Sequence, residues 1–427
     1  MKNEFEAVRG AIPGPRTAAL QEQLAQYESQ NVTFLSDEFP VFWESASGST
    51  VTDVDGNRFI DLTSAFGVAS VGHSNPSVVA AITLQANALM HGMGDVHPTE
   101  VRSRLLERLA RLLPGGLSKT FLATTGSEAV EAALKTAVIA TAKHRFLAYR
   151  GAYHGLSLGA LTVSGIEKFV EPFRGLVPHE TTLLDYPDAQ RITLGDATAQ
   201  LERQAGDCSE IAALIIEPLQ GRGGCILPPK GYLAHVRRFC DERGILMIAD
   251  EIYTGFGRTG YWFACDAEGV IPDIVCIGKA MGGGFPISAA VARPPIMDVW
   301  PLSTGEALHT STYLGNPMGC AAALATIEEL ERGHLPQRAR ELGDLLGSRL
   351  ERLLAHDNVV AVRGRGMMWG VQLRSAAEAD RVVKRVLARG VILLQAGPAG
   401  DVLSITPPLV IDESVLIRAL DIIKEEL

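Results

Sequence analysis

From about residue 75 to residue 315, short apolar runs alternate with helical patterns, and this alternation limits the possible folds more than any other feature of the chain. The runs are Lys119–Thr124, Phe146–Tyr149, Ile211–Glu217, Ile245–Asp250, Asp273–Ile277 and Ile287–Ala292. They predict the strands of a mostly parallel sheet with helices on its faces. Ahead of them, residues 1–70 read as a helix around Thr17–Ser29 and then a β-hairpin whose turn is Asp55-Gly56. After about 320 a long Ala/Leu/Glu/Arg-rich helix pattern leads into strand material in Val359–Val371 and Val391–Ile411, with a helix over Ala376–Arg389 between them. The two end segments are each too thin for a core of their own. The expected architecture is therefore α/β, with a large domain over 71–320 and a smaller, discontinuous α+β domain built from 1–70 and 321–427.

Composition narrows the partners. The chain is 427 residues long, 47% hydrophobic and 21% charged, with a formal net charge of −10 and no long Lys/Arg run. It carries no electrostatic footprint for a nucleic acid or an anionic membrane, which favours a small-molecule ligand. The N-terminal stretch lacks an apolar h-region and no stretch is long and apolar enough to span a bilayer. The six cysteines stand singly at Cys208, Cys225, Cys240, Cys265, Cys276 and Cys320, without zinc-site pairing or disulfide density. A reducing cytoplasm and no metal are the expectations. Acidic residues alternate in the hairpin, but Arg58 and Ser64 stand where a calcium loop needs Gly and Glu, so the turn reading holds.

Chemistry-bearing residues gather at the ends of the predicted strands. Ile245–Asp250 ends in the acidic pair Asp250-Glu251, at the edge where α/β sheets bind ligands. Asp273–Ile277 runs into Gly278-Lys279 and then three glycines, Gly282 to Gly284, that let backbone approach a ligand. Burial and cationic neighbours there lower a lysine's pKa and provide the free amine that forms an imine with an aldehyde. Taken singly, Asp250 reads as a helix cap and Lys279 as a solvated lysine; together, at adjacent strand ends, they favour chemistry.

Four further motifs converge on the same edge. Thr124-Thr125-Gly126-Ser127-Glu128 opens an Ala-rich helix, so Gly126 and Ser127 can seat a phosphate, although the stretch equally reads as a simple capping box. Tyr153-His154-Gly155 offers an aromatic face for stacking, where a Tyr-His pair is otherwise usually core. Glu217-Pro218-Leu219-Gln220-Gly221-Arg222 ends a strand with charged groups and a loop, for which salt-bridged loop ends are the plainer account. Thr312, in His309–Pro317, supplies a hydroxyl before a helix, where Ser and Thr are more often caps.

Taken together, Asp250-Glu251-Ile252-Tyr253-Thr254-Gly255-Phe256-Gly257-Arg258-Thr259-Gly260, the spacing to Gly278-Lys279, and the Thr-Gly-Ser-Glu-Ala, Tyr-His-Gly, Glu-Pro-Leu-Gln-Gly and Gly-Asn-Pro motifs resemble the class III aminotransferases, from about residue 10 to the C-terminus. The resemblance implies fold type I and a homodimer with shared active sites. It implies a ping-pong transaminase using pyridoxal 5′-phosphate (PLP), which moves an amino group from an amine or amino acid to an oxo acid. By the same resemblance Lys279 holds PLP as a Schiff base and Asp250 binds its pyridine nitrogen. Gly126 and Ser127 hold the phosphate, Tyr153 stacks on the ring and Ile252 packs against the other face. His154 and Glu217 complete the cofactor set, and Thr312 reaches the phosphate of the neighbouring subunit. A racemase, aminomutase, decarboxylase or amino-phospholyase of the same family uses the same cofactor residues, and a silent binding protein on this fold is the remote alternative.

The departures concern the substrate. Tyr253 stands where many members have Gln, Ser404 where the carboxylate-binding Arg is usual, and Arg222 where its Glu partner is usual. Leu156 replaces the arginine of 4-aminobutyrate transaminases. Phe66 and Gly67 match the pocket wall and suggest an apolar surface with one small gap, a berth for an alkyl or aryl amine. Arg222 and Tyr253 complete the substrate-side candidates.

Overall fold

The computed structural model describes residues 5–177 and 181–427. The first four residues of the acidic N-terminal stretch lie outside them. The centre is a seven-stranded sheet in the order Lys119–Ala123, Ser288–Ala292, Ile274–Ile277, Leu246–Asp250, Ile211–Ile216, Arg145–Tyr149, Thr181–Leu184. All strands run parallel except Ser288–Ala292, which is antiparallel to both neighbours. Strand Ile211–Ile216 is buried at every position, as expected of a strand covered on both faces. Successive side chains point to opposite faces. Leu214, Ile216, Met247, Ala249, Val275 and Ile277 accordingly join one core cluster, while Ala213, Ile215, Ile248, Ile274 and Cys276 join another.

The edge strand Thr181–Leu184 has no counterpart in the sequence reading. It is only four residues long and its first three are half-buried, so neither an apolar run nor a clean alternation marks it. The long helix pattern after 320 is two helices, Pro317–Arg332 and Leu335–Glu351. His334 between them takes a left-handed φ of 47° and Pro336 enters the first turn of the second helix, so the backbone hydrogen-bond ladder cannot continue.

The chain's two ends meet. Strand Arg58–Asp61 pairs with Thr50–Asp53 on one side and lies parallel to Val391–Ile392 on the other. A third sheet is antiparallel, in the order Val359–Arg365, Met368–Leu373, Val402–Ile405, Leu394–Ala396. The hairpin carboxylates serve local structure. Asp53 Oδ1 accepts from the Asp55 and Asn57 N–H groups at 3.0 and 2.7 Å, closing the turn. Asp55 accepts from the Arg16 and Thr17 N–H groups at 2.8 and 3.0 Å, capping helix Pro15–Tyr27 from across the chain.

Arg258 is the buried tie between these parts. It is 1% exposed and donates to Ser64 Oγ and Ser70 Oγ, at 3.3 and 3.0 Å, and to the carbonyls of Met367 and Pro407. Segments far apart in sequence are thereby locked around the C-terminal ends of the central strands. Among the described residues no helix is long and apolar enough to cross a membrane.

Candidate active site

Beyond the ends of the parallel strands lies a cavity of about 540 Å³. Lys279 enters it directly after strand Ile274–Ile277, in a left-handed conformation with φ 44°. A non-glycine residue held there costs about 1–3 kcal/mol, a conformation that persists only where the surroundings over-determine it. Gly278 permits the entry, since a Cβ at that position would lie 2.5 Å from Ser288 Oγ. The Lys279 ammonium is deep in the protein but open to the cavity, 3.8 Å above the ring of Tyr253. Desolvation pulls its pKa down to about 8; Asp250 and Glu217 oppose the shift, and Arg222 and Arg258 add to it.

Asp250 is 4% exposed at the end of its strand. One carboxylate oxygen is 2.7 Å from His154 Nδ1 and the other accepts the Ile252 N–H at 3.0 Å. Burial lowers the His154 pKa, but the hydrogen bond and charge of Asp250, with Glu217, outweigh it, so the imidazole titrates above its ordinary value. His154 Nε2 is buried without a partner among the described residues. Glu217 accepts from the Tyr153 and Gly221 N–H groups at 3.0 and 3.1 Å. Burial first, and the Asp250 charge second, push it up to about 7 against His154 and these donors. Glu251 points away, accepting from the Ala264 and Cys265 N–H groups at 3.0 and 2.8 Å. The acidic pair is thus split between the cavity and the loop that supports it.

Helix Gly126–Thr141 aims its N-terminus into the cavity. The capping box is present: Glu128 accepts from the Thr124 and Thr125 N–H groups, and Thr125 Oγ1 accepts the Glu128 N–H at 3.3 Å. It leaves the N–H groups of Gly126 and Ser127 without an acceptor among the described residues. Ser127 Oγ lies 2.6 Å from Ser157 Oγ and accepts the Ser157 N–H at 3.1 Å. Gly155, with φ 121°, makes room for it, because a Cβ there would be 2.3 Å from Ser127 Oγ. A dianion fits this donor set at a helix N-terminus. Ile252 lies beside Gly126, with Tyr153 also in the lining. Asp250 Oδ2, at 2.7 Å from His154 Nδ1, is the buried acceptor of the same lining.

The cavity is apolar where Phe66, Leu156, Phe169, Leu394 and Ala396 line it. Arg222, Gln395 and Ser404 add polar groups to the same lining. No carboxylate lies within ion-pair distance of Arg222 among the described residues, so its guanidinium is available to a ligand.

Gly126, Ser127, Tyr153, His154, Glu217, Arg222, Asp250, Ile252, Tyr253, Lys279 and Phe66 all line this single cavity. Two candidates do not. The gap expected at Gly67 is filled: a Cβ there would lie 2.4 Å from Tyr253 Cε2, so the tyrosine ring occupies the space the glycine leaves. Thr312 is exposed and outside the lining of its own chain's cavity. Conversely, Phe169, Leu394, Gln395 and Ala396 line the site without having been singled out. Nothing local marks them, since a short helix and an edge strand bring them in from distant segments.

The sequence profile of aminotransferase class III matches residues 33–427, and the chain belongs to that family. It is 38% identical to the putrescine aminotransferase of Pectobacterium atrosepticum over 93% of this chain and 85% of that protein. It is 37% identical to the acetylornithine aminotransferase of Methanosarcina mazei, over 90% of this chain and 91% of the relative. A PLP-bound amine transaminase from an uncultivated Pseudomonas species superposes with a TM-score of 0.86 at 30% identity, over 94% and 98% of the two chains. The protein is a PLP-dependent transaminase of fold type I, moving an amino group from an amine or amino acid to an oxo acid in a ping-pong cycle.

Proposed function

We propose that Lys279 would hold PLP covalently through its side-chain amine and, once displaced by the substrate amine, would carry the proton to and from the substrate's amino-bearing carbon. When bound, the cofactor supplies an exchangeable carbonyl and an electron-accepting ring. Asp250, oriented by His154, would hold the ring nitrogen, and Gly126 and Ser127 the phosphate. Tyr153 and Ile252 would cover the two ring faces, with Glu217 bracing the Tyr153 backbone. The observation that carries this reading is the convergence of a buried lysine, a buried carboxylate and an unfilled helix N-terminus in one cavity.

On the substrate side, Arg222 grips the carboxylate of the oxo acid, while Phe66, Leu156, Phe169 and Leu394 enclose the organic part of the donor. Both carboxylates of the cavity are engaged by the protein, Asp250 with His154 and Glu217 with backbone N–H groups. A diamine's distal ammonium would meet mainly the neutral acceptors of Gln395 and Ser404 there, which favours monoamines and carboxylate-bearing donors, although one relative is named for putrescine.

The working unit proposed is a homodimer, in which the partner subunit's Thr312 completes the phosphate site. Exposed apolar side chains at Leu89, Met90, Met93, Val96, Leu308 and Tyr313 support a covered surface there. Residues 1–70 and 321–427 are proposed to form one small domain, supported by the pairing of Val391 with Ile60. The six unpaired, buried cysteines support a cytoplasmic location. The test is Lys279→Ala: turnover and the absorbance of covalently held cofactor should both vanish while the fold is kept. Retained turnover would refute the assignment.

A further inference from the structure

Tyr253 is the departure from the family pattern that the substrate reading leaves least explained. Its ring stands in a slot. On one edge Gly67 would place a Cβ 2.4 Å from Cε2, and on the other Gly221 would place one 2.6 Å from Cδ1, so only glycines let the ring in. Its hydroxyl is 3.2 Å from Thr406 Oγ1, which in turn donates to the Thr63 carbonyl at 3.2 Å. The ring plane is thereby set by three segments far apart in sequence. Directly over its face, 3.8 Å from the centroid, sits the Lys279 amine. That is well inside the range, about 6 Å, at which an aromatic quadrupole attracts a cation.

We infer that Tyr253 is a positioning residue whose ring face holds the Lys279 ammonium whenever that amine is free of the cofactor, keeping it in the cavity beside Asp250 for proton transfer. The charged groups facing this amine are Asp250 at its strand end, Glu217 and Arg222 after strand Ile211–Ile216, and Arg258 in the loop beyond Asp250. None of them replaces the ring. No carboxylate lies within ion-pair distance of the amine among the described residues, and both arginines repel it. The tyrosine face attracts the charge without offering a carboxylate that would trap the proton. The inference rests on Lys279 being the cofactor lysine.

The test is a titration of Lys279 in the full-length chain freed of cofactor. Trace acetic anhydride labels lysines in proportion to their free-amine fraction, and the Lys279 peptide is read by mass spectrometry across pH. The parent should show a midpoint near 8. Tyr253→Leu and Tyr253→Gln remove the π face and should lower the midpoint by about one pH unit, the size of a desolvated cation–π contact. Tyr253→Phe keeps the face, loses the Thr406 link and should titrate like the parent. Gln is the residue many class III aminotransferases carry at this place, so it keeps the test open if the leucine variant fails to fold. Unchanged midpoints in the leucine and glutamine variants would overturn the inference, as would a phenylalanine variant shifted as far as they are. Lys279→Ala with reconstituted cofactor tests the underlying assignment separately, because retention of covalent cofactor there would fail the lysine and not the tyrosine.

Discussion

Replacing Arg222 by alanine removes a guanidinium that lines the cavity without an acidic partner among the described residues. A carboxylate held by both arms of that fork gains two charge-assisted hydrogen bonds, each worth about 1.5–3 kcal/mol where water is excluded. Arg222 is only partly buried, so solvent screening trims the pair to about 3 kcal/mol in all. At about 1.4 kcal/mol per decade, kcat/KM for the oxo acid should fall roughly 100-fold. With a monoamine donor, which has no carboxylate to clamp, the amine half-reaction should stay within about threefold of the parent. One side effect must be cancelled. The Arg222 charge helps to lower the Lys279 pKa, so its loss leaves more of the lysine protonated near neutrality. Measuring both halves in single turnover, by cofactor absorbance and well above pH 8, removes that contribution. Arg222→Lys keeps the charge without the planar fork and should fall between the two. Equal losses in the two halves, or no loss in the oxo-acid half, would refute the assignment.

Three other outcomes follow from the structure. Only the free amine of Lys279 attacks an aldehyde, so reloading of the cofactor-free enzyme should accelerate as pH rises through about 8 and then level off; a flat profile would contradict a buried, depressed lysine. The linked stability has the same sign: between about 8 and the ordinary 10.5 the unfolded chain binds the extra proton, so this group's contribution rises with pH across that window. Gly67→Ala should lower the denaturation midpoint, with left-handed strain of about 1–2 kcal/mol and overpacking of about 1–3 kcal/mol, because φ is +80° and the new methyl meets the Tyr253 ring. An unchanged melt would show that the ring yields freely, and the slot around Tyr253 would then be looser than described.

The positions of the central strands were legible because strands buried on both faces must be continuous apolar runs, as Ile211–Ile216 and Ile274–Ile277 are. Lys279, Asp250 and the Gly126–Ser127 turn stood out for the same reason: polar residues that end such runs lie at the ligand-binding edge of the sheet. The break at His334 has a local signal in Gly333 and Pro336, which the uninterrupted apolar pattern masked, whereas the edge strand Thr181–Leu184 carries none. Residues whose meaning depends on a distant neighbour were beyond reach as well. Gly67 reads as a gap until Tyr253 fills it, and Glu251 reads as Asp250's twin until it turns into the loop at Ala264. Leu394–Ala396 joins the cavity wall only because its strand pairs with Val402–Ile405. Which chemical groups stand at the strand ends is readable along the chain, since hydrophobic periodicity is a local property. Which of them share a cavity and which partners hold them emerged only on folding, as did the tyrosine face over the lysine and an arginine in the same lining with no carboxylate at ion-pair distance among the described residues. Those relations come from packing between segments whose separation along the chain leaves no pattern to read.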